Sequence, residues 1–191
     1  MPSVLLTAFE PYEEWTENSS WLALIELTRW LEDSSHLTTR RYPVCFQAVS
    51  KKLGDDLKGD YDLILHLGQA PGTTHIRLES IGLNVDSCGD PLVKGAPTAY
   101  QTSLDLPSWQ KRLNAAGIPA SVSHHAGTVL CNATLFSSQH YLAERRLKSQ
   151  VAFIHLPLTP AQAAAQTTPL PSMSSAMAAA AIATIIESFE V

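Results

Sequence analysis

Short apolar runs alternate along this chain with longer amphipathic ones, the pattern of a mostly parallel sheet covered by helices on both faces. Residues 3–9 read as a first buried strand. Asn18, Ser19 and Ser20 then offer capping oxygens ahead of Trp21, Leu22, Leu24, Ile25, Leu27 and Leu31, whose spacing places most of them on one face of a crossover helix. A strand over 37–42 precedes a helix over 46–57, with Lys51, Lys52, Asp55 and Asp56 on its wet side. Residues 61–67 are continuously apolar, as a central strand buried on both faces should be, and Gly68 is expected to end it.

From residue 75 to 85 apolar and polar positions alternate, with a phase slip near Ser80 that marks a bulge or a turn. Residues 87–107 hold Gly89, Pro91, Gly95, Pro97 and Pro107 without a clear period and read as a long surface loop. A short helix over 108–116, a strand over 118–123, a helix beginning at Leu130 or Cys131, a strand over 151–156 and a last helix opening at Ser172 complete the order. The expected fold is α/β, one domain over residues 1–191, built as an open α/β/α sandwich with a mostly parallel twisted sheet.

Composition narrows the partners. The 191 residues are 45% hydrophobic and 16% charged, enough to bury a core without a disulfide or metal staple. Thirteen basic against eighteen acidic side chains leave a formal charge of −5, with no cationic excess for a nucleic acid or an anionic membrane. Residues 1–9 lack the basic start and small-residue cleavage site of a signal peptide. The alanine-rich stretch 173–186 is too short and too weakly apolar to span a bilayer. Three widely spaced cysteines, Cys45, Cys88 and Cys131, suit a reducing compartment, so the cytoplasm is the expected location. No CxxC, GxGxxG or GxxxxGK[ST] motif is present, and no cofactor is expected.

Three side chains stand out for chemistry. Cys131 falls on the first turn of a predicted helix, where the positive end of the dipole and the unpaired N–H groups favour a thiolate and can receive an oxyanion. The competing role is that of a small buried apolar residue. His155 ends an apolar strand, where open α/β sheets build their sites. Glu79 lies among Leu78, Ile81 and Leu83, and a carboxylate there needs a partner, either a histidine or an arginine. Of the other histidines, His66 reads as a hydrogen-bonded core member, and the adjacent His124 and His125 diverge too far to form a metal site.

Four segments, TAFEPYEEWTENSSW from Thr7, LGQAPGTTHIRLESIGLNV from Leu67, AGTVLCN from Ala126 and FIHLPLTP from Phe153, together resemble the pyroglutamyl peptidase I (pyrrolidone-carboxylate peptidase) family of cysteine peptidases. They occur in order over nearly the whole chain. The resemblance implies an open α/β sandwich that removes N-terminal 5-oxoproline from small peptides, with Cys131 as nucleophile, His155 as general acid and base, and Glu79 as the acid that orients it. It also implies that Phe9 and Tyr12 sandwich the lactam ring, that Val129 and Leu130 line it, and that Gln69 and Asn18 sit at its polar side. Family members are often dimers or tetramers, so a homo-oligomer is expected. The chain departs from the family where Glu13 and Glu14 replace a glycine pair beside the pocket, and where Cys88 stands in place of an arginine. Those departures keep two other readings open: a weakened or inactive homologue that binds a pyroglutamyl-like ligand, and a cysteine hydrolase with a different acyl preference.

Overall fold

The computed structural model describes residues 2–31 and 35–189. Six strands form one sheet: β1 (Val4–Phe9), β2 (Leu37–Tyr42), β3 (Leu63–Gln69), β4 (Ile76–Glu79), and, in this sheet though later in the chain, β7 (Ala120–Ser123) and β8 (Gln150–Leu156). Between them in sequence, β5 (Ile81–Leu83) and β6 (Ala99–Gln101) form a separate antiparallel ribbon. The order across the large sheet is β2-β1-β3-β8-β4-β7. Every neighbouring pair is parallel except β4 and β8, which run antiparallel.

Period-two alternation sorts the strand residues to two faces. Val4, Leu6 and Ala8 pack with Ala23, Leu24 and Leu27 of α1 (Ser19–Trp30), and with the buried sides of α3 (Leu106–Ala115) and α6 (Ser175–Glu187). Leu5, Phe9, Ile64 and Phe153 face the other way, onto Val49 and Leu53 of α2 (Phe46–Asp56) and Leu135 and Leu142 of α4 (Leu130–Arg145). A short α5 (Pro160–Ala164) follows β8.

The expected three-layer α/β arrangement is present, and several expected boundaries move for identifiable reasons. Gly68 does not end β3, which runs on to Gln69. A Cβ on Gly68 would stand 2.7 Å from the Phe153 ring, so glycine here makes room for a neighbouring strand. The alternation over 75–85 belongs to two strands in different sheets: after Glu79 the chain turns out at Ser80, whose N–H donates to Ser123 O and whose carbonyl accepts from Thr102 N. The predicted 87–107 loop contains β6, held against β5 and by Tyr100 packing on Phe136 at 5.5 Å. α3 starts at Leu106 because Asp105 caps it, accepting from Ser108 N at 3.1 Å. Ser172 bridges to Leu158, which delays α6 until Ser174 can cap it. α5 escaped the hydrophobic pattern; a reciprocal Thr159–Gln162 capping box holds it. Among the described residues, no helix is long and apolar enough to cross a membrane.

Candidate active site

β1 has β2 on one side and β3 on the other, so successive crossovers leave it in opposite directions. Open α/β sheets form a crevice at such a switch, beyond the carboxyl ends of the strands. Phe9 ends β1 and Gln69 ends β3, and both line a cavity of about 290 Å³ together with Tyr12, Glu13, Asn18, Val44, Val129, Leu130 and Cys131. Six residues expected around a ring-binding pocket therefore meet beside the candidate thiol. Phe9 is nonetheless mostly core: it is buried, edge-on to Tyr42 at 6.2 Å and tilted against Phe153 at 6.3 Å.

Cys131 is the second residue of α4, whose N-cap, Val129, has no capping side chain. The first helical turn therefore presents N–H groups beside the thiol without a side-chain acceptor, as an oxyanion requires. Asn132, the next residue, is buried and clamps the helix start to the β5 segment: its Oδ1 accepts from Leu83 N at 2.8 Å, and its Nδ2 donates to Leu83 O at 2.9 Å and Val85 O at 3.0 Å. Gly68 opposes the thiol, and a Cβ there would lie 3.2 Å from Sγ.

The antiparallel pairing of β4 and β8 sets Arg77 opposite His155 and Glu79 opposite Phe153. Directly paired residues share a face, so Arg77, Glu79, Phe153 and His155 all project towards α4. Glu79 is fully buried, and its Oε1 accepts from His155 Nδ1 at 2.8 Å. A carboxylate only accepts, so Nδ1 carries the proton and Nε2 remains for the thiol. Burial alone would push the His155 imidazole down; the charge and hydrogen bond of Cys131, followed by those of Glu79, outweigh it and raise the pKa to about 9. The His155 imidazole therefore favours its protonated form.

The sequence left Glu79 with either a histidine or an arginine, and it has both. Arg77 Nε lies 3.4 Å from Glu79 Oε1, an ion pair without hydrogen-bond geometry. Arg77 Nη2 lies 3.4 Å from His155 Nδ1, where both groups carry hydrogens and only charge acts. Arg77 was not singled out in the sequence; its signal was the two-residue spacing from Glu79, which puts both on one face of a strand.

Gln69 is held in one orientation. Its Oε1 accepts from Ser19 N at 2.8 Å and from Gln162 Nε2 at 2.7 Å, which turns its buried Nε2 away from both, without a partner. That amide lies near the Tyr12 phenol, whose pKa burial raises and the neighbouring amide tempers. Gln162, another residue the sequence did not flag, also donates to Glu17 O at 2.9 Å and so ties α5 to the pocket. Asn18 is largely committed to structure: its Oδ1 accepts from Ser20 N and Ser20 Oγ at 3.0 and 2.7 Å, and its Nδ2 donates to Glu10 O at 3.0 Å.

Of the two departures, the glutamate pair reaches the first cavity, which Glu13 lines. Glu13 adopts a left-handed backbone with φ of 52°, a conformation that costs a non-glycine residue about 1–2 kcal/mol. Cys88 and Cys45 are exposed, and all three cysteines are free thiols. His66 is a satisfied core residue between Thr7 Oγ1 at 2.7 Å and Ser138 Oγ at 2.8 Å. His124 contacts Ser80 Oγ at 2.6 Å, whereas His125 Nδ1 accepts from Gly127 N at 3.0 Å. Among the described residues, no cluster of three or more histidine, cysteine or acidic side chains has a metal-binding arrangement.

Comparison with known proteins finds relatives along nearly the whole chain. The pyrrolidone-carboxylate peptidase 1 of Ralstonia nicotianae is 34% identical over 176 residues, covering 86% of this chain and 82% of the relative. A pyrrolidone-carboxylate peptidase of Clavibacter michiganensis is 30% identical over 206 residues, covering 100% and 96%. The crystal structure of a pyrrolidone carboxyl peptidase from Fervidobacterium islandicum superposes with a TM-score of 0.88 at 30% identity, covering 96% of each chain. Another, from Thermococcus litoralis, gives 0.86 at 27% identity, covering 98% of this chain and 92% of its own. Residues 2–190 match the family profile described as pyroglutamyl peptidase, and the chain belongs to that family.

Proposed function

We propose that residues 1–191 act as one catalytic domain that hydrolyses the bond after an N-terminal 5-oxoproline in small peptides. The observation that carries this reading is Gln69: a buried amide nitrogen with no partner, fixed at the wall of an apolar cavity that ends at Cys131. A 5-oxoproline ring is flat and neutral and offers one lactam carbonyl, which this donor suits. Proline has no such carbonyl and would leave the donor buried and unpaired.

The Cys131 thiolate attacks the carbonyl carbon outside the ring, and the negative oxygen lies against the first-turn N–H groups of α4. The tetrahedral species collapses by breaking the carbon–nitrogen bond, and His155 passes its Nε2 proton to the departing amine. Neutral His155 next takes a proton from water as that water attacks the thioester. Collapse expels the Cys131 thiolate, releases 5-oxoproline and leaves the imidazolium restored. Glu79 holds the Nδ1–H throughout and balances the imidazolium charge.

The experiment compares release of fluorophore from pyroglutamyl-aminomethylcoumarin by wild type and Cys131→Ala under reducing conditions. Turnover by wild type alone is the expected result. Equal turnover by both would remove Cys131 from the mechanism, and turnover by neither folded protein would favour a ligand-binding homologue.

A further inference from the structure

A second cavity, of about 310 Å³, adjoins the first and shares Val44, Val129 and Leu130 with it. We propose that this second cavity receives the side chain of the residue that follows 5-oxoproline, and that it selects a large apolar one. The inference rests on the peptidase reading above and adds the substrate preference.

Leu130 immediately precedes Cys131, so the shared wall stands beside the thiol. With the ring in the first cavity, the attacked carbonyl has the ring on one side and the next residue's nitrogen on the other. That residue is one Cα step of about 3.8 Å further on and falls across the wall.

The far side is built for apolar contact, with Phe46, Leu92 and Ala133 facing the space. Val44, Phe46 and Val129 are 41%, 51% and 67% exposed, a group of large apolar side chains left in water around a single opening. Such a patch marks a place where something apolar binds. The charge points the same way. Asp86 is the ionisable residue on this wall, and its Oδ1 already accepts from Cys88 N at 2.8 Å and Asp90 N at 2.9 Å. No cationic side chain lines the cavity to receive a carboxylate, so an acidic residue at this position meets repulsion.

The test measures 5-oxoproline release from pyroglutamyl-X-amides with X as Gly, Leu, Phe or Asp. Leu and Phe should exceed Gly in kcat/KM by about tenfold or more, the usual worth of an apolar side chain in a fitted pocket, and Asp should fall below Gly. Phe46→Ala, at an exposed position, should lower the Leu-to-Gly ratio severalfold. Equal rates for Gly, Leu and Phe, or a ratio unchanged by Phe46→Ala, would overturn the proposal. If the panel is flat and Phe46→Ala instead lowers the oligomeric mass by light scattering, a second copy of the chain covers the cavity and the proposal falls. Absence of release from every amide would instead bring down the peptidase reading itself, and this subsite with it.

Discussion

Glu79 accepts a hydrogen bond from His155 Nδ1 at 2.8 Å although the two residues are 76 positions apart, because β4 runs against β8 and brings both to the α4 face. Replacing the carboxylate by its amide keeps the shape but removes the charge that balances the imidazolium. Glu79→Gln should lower kcat by ~100-fold or more with little change in KM. Steady-state kinetics on pyroglutamyl-aminomethylcoumarin decide it, and a loss confined to KM would show that Glu79 acts on binding.

The raised pKa of His155 depends most on Cys131 among its favourable influences. In Cys131→Ala the imidazole keeps its burial and Glu79 but loses the neighbouring charge and hydrogen bond, so its pKa should drop from about 9. NMR titration of the His155 ring in wild type and variant measures the difference. An unmoved titration would mean that Glu79 alone sustains the shift.

Arg77 places a cation beside both members of the acid–base pair. Its removal leaves Glu79 opposed only by the imidazolium, which should then hold its proton to higher pH. The alkaline limb of kcat/KM for Arg77→Gln should accordingly move upward, and Arg77→Lys should move it back. A lower rate with an unshifted limb would make Arg77 a packing residue only.

Gln69→Glu retains the Oε1 that receives Ser19 N and Gln162 Nε2 but replaces the free donor with an acceptor. The kcat/KM for pyroglutamyl substrates should fall by ~100-fold, the cost of facing a lactam carbonyl without a donor. Unchanged kcat/KM in a folded variant would take Gln69 out of ring recognition.

Two histidines pull stability in opposite directions with pH. Burial holds His66 neutral, lowering its pKa from 6.5 to about 3, so below pH 6.5 the unfolded chain takes up a proton that the folded one refuses. Stability should therefore fall on acidification by ~1.4 kcal/mol per pH unit from that group. His155 is raised to about 9, so its contribution is complete below pH 6.5 and is lost as pH rises through 9. Urea denaturation across this range should show a maximum near pH 6.5, and a flat acid side would contradict the assignment for His66.

The sheet was readable because β1, β3 and β8 are buried on both faces and leave near-continuous apolar runs. The same reading failed over 75–107, where β5 and β6 are three-residue strands whose pairing depends on Thr102, Ser80 and the α4 surface rather than on their own pattern. The places of Cys131 at a helix start and His155 near a strand end were legible, though not that the two meet. The partner of Glu79 was not, since a carboxylate in an apolar strand accepts any nearby donor, and only the reversed direction of β4 decides which donors are near. Gln162 did leave a trace in its capping-box spacing from Thr159, but its bond to Gln69, 93 residues away, depends on the fold.

The reversed strand also ties the appearance of reactivity to the order in which the chain is made. Cys131 and the α4 start are synthesised before β8, while Glu79 and Gln69 wait on strands that only β8 joins together. A nascent or refolding chain lacking that strand holds the thiol without its imidazole, and the two halves of the sheet meet only when residues 150–156 insert between β3 and β4. Pairings this distant in sequence form slowly. Recovery of peptidase activity thus reports closure of the centre of the sheet, and the thiol meets His155 at the step that completes the sheet, ahead of α5 and α6 in the chain.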